Sequence, residues 1–271
     1  MPGCRYKPQG MLAALVECLW YWEGAPAPHL QERLLPQAQA AMILNLRDEP
    51  IAIYEDEGGA QFYGTAVLSG ARSNCFTIDS NQQERVVGVQ FAPGGAFPFF
   101  RMPMSELEDA SFDMADLWGT QAGWVRERVL TATTPRAMLE TLERCLLEIL
   151  KAPDRLHPAV IYMAGELDIC DGPARVHAVT GRIGLSQRRL AQLFHEQVGV
   201  SPKTFHRVRR FQHTLQRLRG VRQADWAHLA VECGYYDQAH LSHDFRQIAG
   251  MTPSAYLAAA TEHLNHVPLR D

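Results

Sequence analysis

Histidine is scarce in the first part of the sequence, and the cysteines form no pattern. Residues 1–156 contain one histidine, His29, whereas a catalytic metal held by histidines needs several of them. The six cysteines include no C-x-x-C pair, which argues against a cysteine-type zinc site and against a disulfide framework. A G-x-S-x-G elbow, a phosphate loop and a Cys–His nucleophile pair are also missing. We therefore expect no metal and no other cofactor, and we predict that the chain is not an enzyme.

A hydrophobic run long enough to span a membrane is absent as well. The apolar segment 11–22 follows Arg5 and Lys7 and precedes Ala-Pro-Ala, which makes it a faint imitation of a signal peptide. Glu17 interrupts this segment, and it is far shorter than the ~20 apolar residues that cross a bilayer. We interpret it as a buried strand, and we expect a cytoplasmic protein with no membrane partner.

Acidic residues are scarce in one stretch, which is strongly basic as a result. Residues 1–157 carry a formal charge of −7, and residues 158–271 carry +3. Within the second part, residues 172–222 contain eleven Lys and Arg against a single acid, Glu196. So basic a block in an otherwise acidic chain favours a nucleic acid as partner, and the alternative is a solvated charged face.

Strand-like segments fill the first part of the chain. Apolar and β-branched residues cluster at 15–22, 41–46, 65–68, 76–78 and 86–91. Turn-forming sequences rich in Gly, Pro and Asp separate these segments. Many short strands joined by such turns predict a small β-barrel or sandwich.

From residue 105 onward the apolar residues follow the period of a helix. Thr134 and Pro135 predict a helix start, and Met138, Leu142 and Ile149 fall on one face of that helix. Packing on the barrel and dimerisation explain this face equally well.

The stretch 151–158 is flanked by two prolines and predicts a domain boundary, beyond which only helices are expected. We divide the chain into a β domain at 1–118, a helical extension and linker at 119–157, and an all-α domain at 158–262. The expected fold class is therefore α+β.

The C-terminal part repeats itself at an offset of 51 residues. In each copy a capping residue precedes a Leu and a Phe on one helix face, a Gly suited to a helix end follows, and a hydroxyl residue with Pro begins the next helix. The aligned pairs are Ser186 and Asp237, Leu190 and Leu241, Phe194 and Phe245, Gly199 and Gly250, Ser201 and Thr252, and Pro202 and Pro253.

A further short helix precedes each copy, at 173–181 and at 225–233, and a tight turn with Gly follows it. Helix, tight turn and helix form the helix-turn-helix pattern, here present twice. Because Leu and Phe bury one face of each second helix, the opposite face can enter a major groove. A purely structural helical-hairpin repeat is the alternative, but it does not need so basic a block. The residues that we predict to contact DNA are Ser186, Gln187, Arg188, Arg189, Gln192, Lys203, Arg207, Gln238, Ala239, Ser242 and His243.

The second helix of each unit is predicted to contact bases, and we call these two the reading helices. They differ in charge. Arg188 and Arg189 suit guanine edges and phosphate, whereas the second helix offers His243 at its free face. Asp237 is expected to be occupied in capping, and Arg210 is expected to be structural.

These motifs resemble the DNA-binding domain of the AraC/XylS family of bacterial transcription regulators. The resemblance implies seven helices, with one from 202 to about 218 joining the two units, and contact with two successive major grooves. It is carried by Gly184-Leu185-Ser186, Arg188, Leu190, Phe194 and Gly199-Val200-Ser201-Pro202, and by Ala230, Cys233-Gly234-Tyr235, Asp237-Gln238, His240-Leu241, Asp244-Phe245, Gly250, Thr252-Pro253 and Tyr256.

The first part of the chain resembles the uncharacterised sensor domain of one branch of these regulators, which implies a cupin-like β-barrel. That branch has an Asp-Gly type turn after a proline near position 36, where this sequence has Gln37-Ala38. The resemblance is carried by Trp20, Trp22, Leu35-Pro36, Gly88-Val89, Phe91, Pro93-Gly94-Gly95, Glu106-Leu107 and Asp116-Leu117-Trp118-Gly119.

The leading hypothesis is an effector-responsive, sequence-specific transcription regulator whose partners are double-stranded DNA, an unidentified small-molecule effector, RNA polymerase and a second copy of the chain. One alternative is a ligand-independent dimeric DNA-binding regulator. Another is a small-molecule-binding enzyme with a helical tail, whose aromatic residues Trp20, Trp22, Phe62, Phe76, Phe91 and Phe97 either line a pocket or form core.

Overall fold

The computed structural model describes residues 3–24, 31–54, 59–80, 84–100, 102–150, 156–168 and 184–269. Four features of the sequence lie outside these residues: His29, Cys170, most of the predicted domain boundary at 151–158, and the predicted helix at 173–181.

The described residues of the N-terminal part form ten short strands in two antiparallel sheets, and an eleventh strand joins them from the C-terminal part of the chain. One sheet has the order β1-β2-β9-β4-β7-β10 and the other β11-β3-β8-β5-β6. The strands are β1 Gly3–Tyr6, β2 Val16–Glu23, β3 Gln31–Leu34, β4 Ala41–Asn45, β5 Ile51–Tyr54, β6 Ala60–Tyr63, β7 Ala66–Ser69, β8 Phe76–Asp79, β9 Arg85–Phe91, β10 Ser111–Asp113 and β11 His266–Pro268. Each of the five strand segments predicted from the sequence overlaps one of these strands, with ends that differ by at most one residue.

The two sheets pack face to face through a small apolar layer. Val67 of the first sheet lies in one cluster with Ile53, Phe76 and Ile78 of the second. The opposite face of the first sheet belongs to the main core, so this sheet is covered on both sides. Burial on both faces explains why β9 is a nearly continuous apolar run rather than an alternating one.

Three helices, α1 Met114–Trp118, α2 Thr120–Leu130 and α3 Pro135–Ile149, cover that outer face. The Thr134 hydroxyl caps α3 by accepting a hydrogen bond from the Ala137 backbone N–H at 3.2 Å, as the sequence predicted. Met138, Leu142 and Ile149 are buried against β1, β2 and α2. Of the two explanations for the apolar face of α3, the structure shows packing on the β domain.

Six helices of the C-terminal part lie in the described residues: α4 Pro158–Leu167, α5 Gln187–Val198, α6 Pro202–Arg217, α7 Trp226–Glu232, α8 Gln238–Ala249 and α9 Pro253–Ala259. The α+β fold is confirmed, with a β domain followed by helices. The expectation of helices alone beyond the linker is wrong at one place, because β11 leaves the helical part and pairs with β3 of the β domain.

Candidate nucleic-acid interface

The predicted capping residues begin both reading helices. At the start of α5, the Ser186 hydroxyl accepts a hydrogen bond from the Arg189 backbone N–H at 3.2 Å. At the start of α8, a carboxylate oxygen of Asp237 accepts one from the His240 backbone N–H at 2.7 Å. These bonds satisfy free N–H groups at each helix start, and they fix which residues form the first exposed turn.

An aromatic pair holds each reading helix against the helix that follows it. The rings of Phe194 and Phe205 are 5.3 Å apart, and those of Phe245 and Tyr256 are 5.5 Å apart. Both pairs are fully buried, and they stand at equivalent positions of the 51-residue repeat. The buried seam therefore lies on the Leu and Phe face in both units, and the opposite faces point outward.

Nearly all the predicted DNA-contacting side chains lie on those outward faces. In the first unit and the start of α6, Ser186, Gln187, Arg188, Arg189, Gln192 and Lys203 are exposed. In the second unit, Gln238, Ala239 and His243 are exposed and Ser242 is half-buried. The His243 Nε2 atom lies 2.9 Å from the side-chain amide nitrogen of Gln247.

Arg207 differs from the other predicted DNA contacts because a buried acid already binds it. Asp244 on α8 has only 7% of its side chain exposed, and it forms ion pairs with both Arg207 and Arg210 of α6. Arg207 also donates a hydrogen bond to the Gln247 side chain at 2.6 Å. Arg207 thus links the two helices and has part of its surface left for a phosphate.

Arg210 has a purely structural environment. Its guanidinium group stacks on the Tyr235 ring at 4.1 Å and donates to Asp244 at 2.9 Å and to the Gly234 carbonyl at 3.4 Å. Burial raises the pKa of Tyr235 to about 12, so this ring stays neutral. The structural assignment of Arg210 agrees with this environment.

Asp168 is a second acid that binds α6. It follows α4 and pairs with Arg209 and with His213, whose Nε2 atom lies 3.5 Å from the carboxylate. Burial acts to raise the pKa of Asp168, but the hydrogen bonds from His213 and Arg209 outweigh it and lower this pKa to about 2. The side of α6 that faces α4 is therefore neutralised within the chain.

The first unit rests on the β domain through the end of α5. Its terminal Gly199 lies against Ala71 and the Met104 carbonyl. One turn earlier, His195 Nε2 is 2.9 Å from a carboxylate oxygen of Glu108.

The second unit rests on the same domain through the end of α8. Gly250 lies against Arg33 and Cys75, and Arg33 donates to the Ala249 carbonyl at 3.4 Å. The Gln212 side chain of α6 donates to the Pro36 carbonyl at 2.7 Å. Both reading helices therefore end on the β domain, which the sequence did not predict.

The C-terminal segment 260–269, which we call the strap, ties the second unit down further. Its strand β11 pairs with β3, and Val267 is buried in the core of the second unit together with Leu35. Tyr256 donates to the Leu264 carbonyl at 2.9 Å, and His266 Nδ1 lies 2.7 Å from a carboxylate oxygen of Glu32.

The aromatic residues considered as pocket lining do not share one site. Phe91 and Phe97 are buried in the main core, Phe76 lies between the sheets, and Phe62 is 68% exposed. The Trp22 ring meets the His263 ring of the strap edge to face at 5.3 Å.

Shallow clefts in the described part lie among the helices, not inside the β domain. One, of about 460 Å³, is lined by Arg222, Trp226 and Leu257 among others, and one of about 440 Å³ lies beside Trp124 and Glu148.

Among the described residues, no group of three or more His, Cys, Asp or Glu is placed to hold a metal ion. Nor does any helix of the described part combine the length and the apolar character needed to cross a membrane.

Ala38 forms the turn at the place where the sequence departs from the sensor-domain pattern. It adopts a positive φ of 56° although it is not glycine, and its backbone N–H donates to the Arg72 carbonyl at 3.2 Å. The backbone after Pro36 therefore turns through a left-handed residue although the Asp-Gly sequence is absent.

Two sequence families match the chain. One, described as a helix-turn-helix domain, matches residues 179–259, and the other, a domain of unknown function (DUF6597), matches residues 4–113. The C-terminal part of the chain is a helix-turn-helix domain of the AraC/XylS type, and it is attached to an N-terminal domain of unknown function. The family resemblance read from the motifs is confirmed.

One curated relative is the arabinose operon regulatory protein of Escherichia coli (strain K12), 27% identical over 141 residues. The aligned region covers 49% of this chain and 47% of the relative, so the chain spans about half the length of that protein.

Among solved structures, ToxT from Vibrio cholerae is similar with a TM-score of 0.47 and 9% identity, covering 95% of this chain and 98% of ToxT. ToxT bound to (E)-4-(8-methylnaphthalen-1-yl)but-3-enoic acid gives a TM-score of 0.46 and 12% identity, covering 89% and 97%.

Proposed function

We propose that this chain is a sequence-specific DNA-binding transcription regulator of the AraC/XylS type. The observation that supports it best is the duplicated helix-turn-helix unit, in which α5 and α8 are capped, buried and exposed in the same way. A helix presented in this way fits a major groove with its N-terminal residues against base edges.

The two reading helices contact bases, and basic residues of α6 contact phosphate. Arg188, Gln192, Gln238 and His243 carry side chains that reach base edges, while Lys203 and the exposed part of Arg207 bind phosphate and position the protein without reading sequence. Because α5 and α8 differ in sequence, one chain prefers an asymmetric site whose two blocks lie about one DNA turn, ~34 Å, apart.

The β domain is the sensor in this proposal. Both reading helices end on it, so a ligand that alters the conformation of the β domain can shift both helices through the contacts of Gly199 and Gly250. An effector acts only through unequal affinity for two arrangements of the chain. RNA polymerase and a second copy are the further partners, the site of action is the cytoplasm, and no enzymatic step is needed.

Selection of bound sequences from random duplexes tests this function. The full-length protein, at a stated salt concentration, is expected to recover one asymmetric motif with two blocks about a turn apart. Recovery of nothing above background, also with residues 158–271 alone, contradicts the proposal. If only that fragment selects a motif, the β domain restrains DNA binding until its ligand arrives.

A further inference from the structure

Tyr236 is the most exposed large apolar side chain of the second helix-turn-helix unit. It is 88% exposed, and it stands one residue before Asp237, the cap of the reading helix α8. The other Phe and Tyr rings of this unit, those of Tyr235, Phe245 and Tyr256, are buried. A large ring left in water at the edge of a reading surface points to a partner that covers it.

The turn around Tyr236 holds the ring outward. Tyr235, the residue before it, is buried under Arg210, and its backbone N–H donates to the Ala230 carbonyl at 2.8 Å. The Tyr236 backbone N–H itself meets His240 Nδ1 at 3.3 Å. Because Tyr235 is buried and the Tyr236 backbone N–H is bonded to α8, the Tyr236 side chain lies in solvent beside the first turn of this reading helix.

The 51-residue repeat makes this exposure specific to the second unit. Leu185 is the equivalent residue of the first unit, and it is partly buried against the main core. The same backbone position therefore serves packing in one unit and is presented to solvent in the other.

The two reading surfaces also differ in charge. The first turn of α5 presents Arg188 and Arg189, whose guanidinium groups suit guanine O6 and N7. The first turns of α8 present Gln238, Ala239, Ser242 and His243 without a Lys or Arg, and the exposed cation of this helix, Arg246, lies in its last turn. A glutamine pairs with adenine N6 and N7, and an apolar side chain packs on the thymine methyl group.

We propose that the second unit reads an A·T block, and that the Tyr236 ring packs on a thymine methyl group at the edge of that block. The first unit then reads a guanine-containing block, so that the operator has two halves of unlike composition. This inference rests on the proposed function and assigns a specificity-determining residue to it.

The test uses the duplex selected by the full-length protein, with each thymine of the second block replaced in turn by uracil. Uracil lacks only the methyl group, so wild-type protein is expected to lose about fourfold in affinity at one position, the value for burying one methyl group. Tyr236→Ala should bind the thymine duplex more weakly by at least that factor, and it should no longer distinguish uracil from thymine there. Tyr236→Phe should behave as wild type, because the ring rather than the hydroxyl makes the contact.

Phe62→Ala is the matched control, since Phe62 is also an exposed ring (68%) but lies on β6 of the β domain. It should leave both affinity and uracil discrimination unchanged.

A second block rich in G·C, or equal affinity for uracil and thymine at every position, overturns the inference while the regulator function stands. Equal losses for Tyr236→Phe and Tyr236→Ala on all sequences also overturn it, because the hydroxyl then contacts phosphate. Recovery of no motif at all is a different result, which removes the proposed function and this inference together.

Discussion

Gly199 and Gly250 end the two reading helices in the same way, each with a left-handed backbone and each against the β domain. Their φ angles are 103° and 67°, and they stand at equivalent places in the repeat. Each glycine therefore does two things at once, since it stops a helix and lets the helix end approach the neighbouring domain.

Alanine at these two positions should have unequal costs. A Cβ at Gly199 would lie 3.0 Å from the Met104 carbonyl oxygen and 3.3 Å from the Ala71 Cβ, whereas at Gly250 the nearest atom belongs to the flexible end of Arg33. We expect Gly199→Ala to lower the free energy of unfolding by about 3 kcal/mol and Gly250→Ala by about 1 kcal/mol. Urea unfolding of both variants measures this, and equal losses would show that contact with the β domain adds nothing to backbone strain.

Asp244 should be among the most sensitive positions of the second unit. Its buried carboxylate pairs with Arg207 and Arg210, so Asp244→Ala leaves two arginines without their partner. We expect a loss of about 3 kcal/mol in the free energy of unfolding, because breaking a buried ion pair strands the remaining charge.

The two arginines separate structure from DNA contact. Arg210 has 13% of its side chain exposed, and Arg210→Ala should lose most of the stability that Asp244→Ala loses. Arg207 has 34% exposed, so Arg207→Ala should lower the free energy of unfolding less and the DNA affinity more. A full stability loss for Arg207→Ala with unchanged DNA affinity would remove Arg207 from the interface.

The repeat could be predicted because its signals are local. The caps Ser186 and Asp237 and the helix-ending Gly199 and Gly250 act within a turn of their own position, so the sequence alone indicates what each does. The short strands of the β domain are predictable for the same reason, because apolar runs between turn residues need no distant partner to be recognised.

Long-range partners are what the sequence could not supply. The environment of Arg207 depends on Asp244, which is 37 residues away, and a basic residue on a helix gives no sign of which acid it meets. β11 has three residues with one buried side chain, Val267, and its partner β3 is more than 200 residues earlier. Such a strand exists only because an edge of the β domain is there to pair with it.

Asp168 predicts a pH-dependent contribution to stability. Its pKa of about 2 lies below the ~3.9 of an unfolded aspartate, so the carboxylate stabilises the fold above pH ~4 and loses this effect as the pH falls towards 2. We expect Asp168→Asn to cost no more than about 1 kcal/mol at pH 7, because 42% of this side chain is exposed and the pairs are screened.

Urea unfolding of both proteins at pH 7 and at pH 3 measures this difference. The two curves should approach each other at the lower pH. A gap that stays constant between these values would mean that the carboxylate acts through packing and not through its charge.

Arg188 should determine which base is preferred at one position of the operator. Arg188→Ala is expected to relax the base preference at a single position of the first block and to cost about 1–3 kcal/mol in binding free energy on the selected sequence. Repeated selection with the variant measures the preference. An equal loss on every sequence would instead make Arg188 a phosphate contact, with a matching decrease in salt dependence.

The strap should hold the second unit and the β domain together. Val267 is 1% exposed among Leu35, Phe211 and Tyr256, so Val267→Asp places a carboxylate in an apolar core. Because a buried unpaired charge is among the costliest substitutions, we expect β11 to detach and the free energy of unfolding to fall by about 3 kcal/mol.

Hydrogen exchange locates that detachment. The Leu35 amide donates to the Asn265 carbonyl at 2.9 Å, so it should lose protection in Val267→Asp. Pro268→Ser, one residue along and half-buried, should leave that protection nearly unchanged. Equal exchange at Leu35 in all three proteins would mean that the backbone next to β3 is protected without the strap, and that contacts such as those of Gly250, Arg33 and Gln212 are enough to hold the second unit.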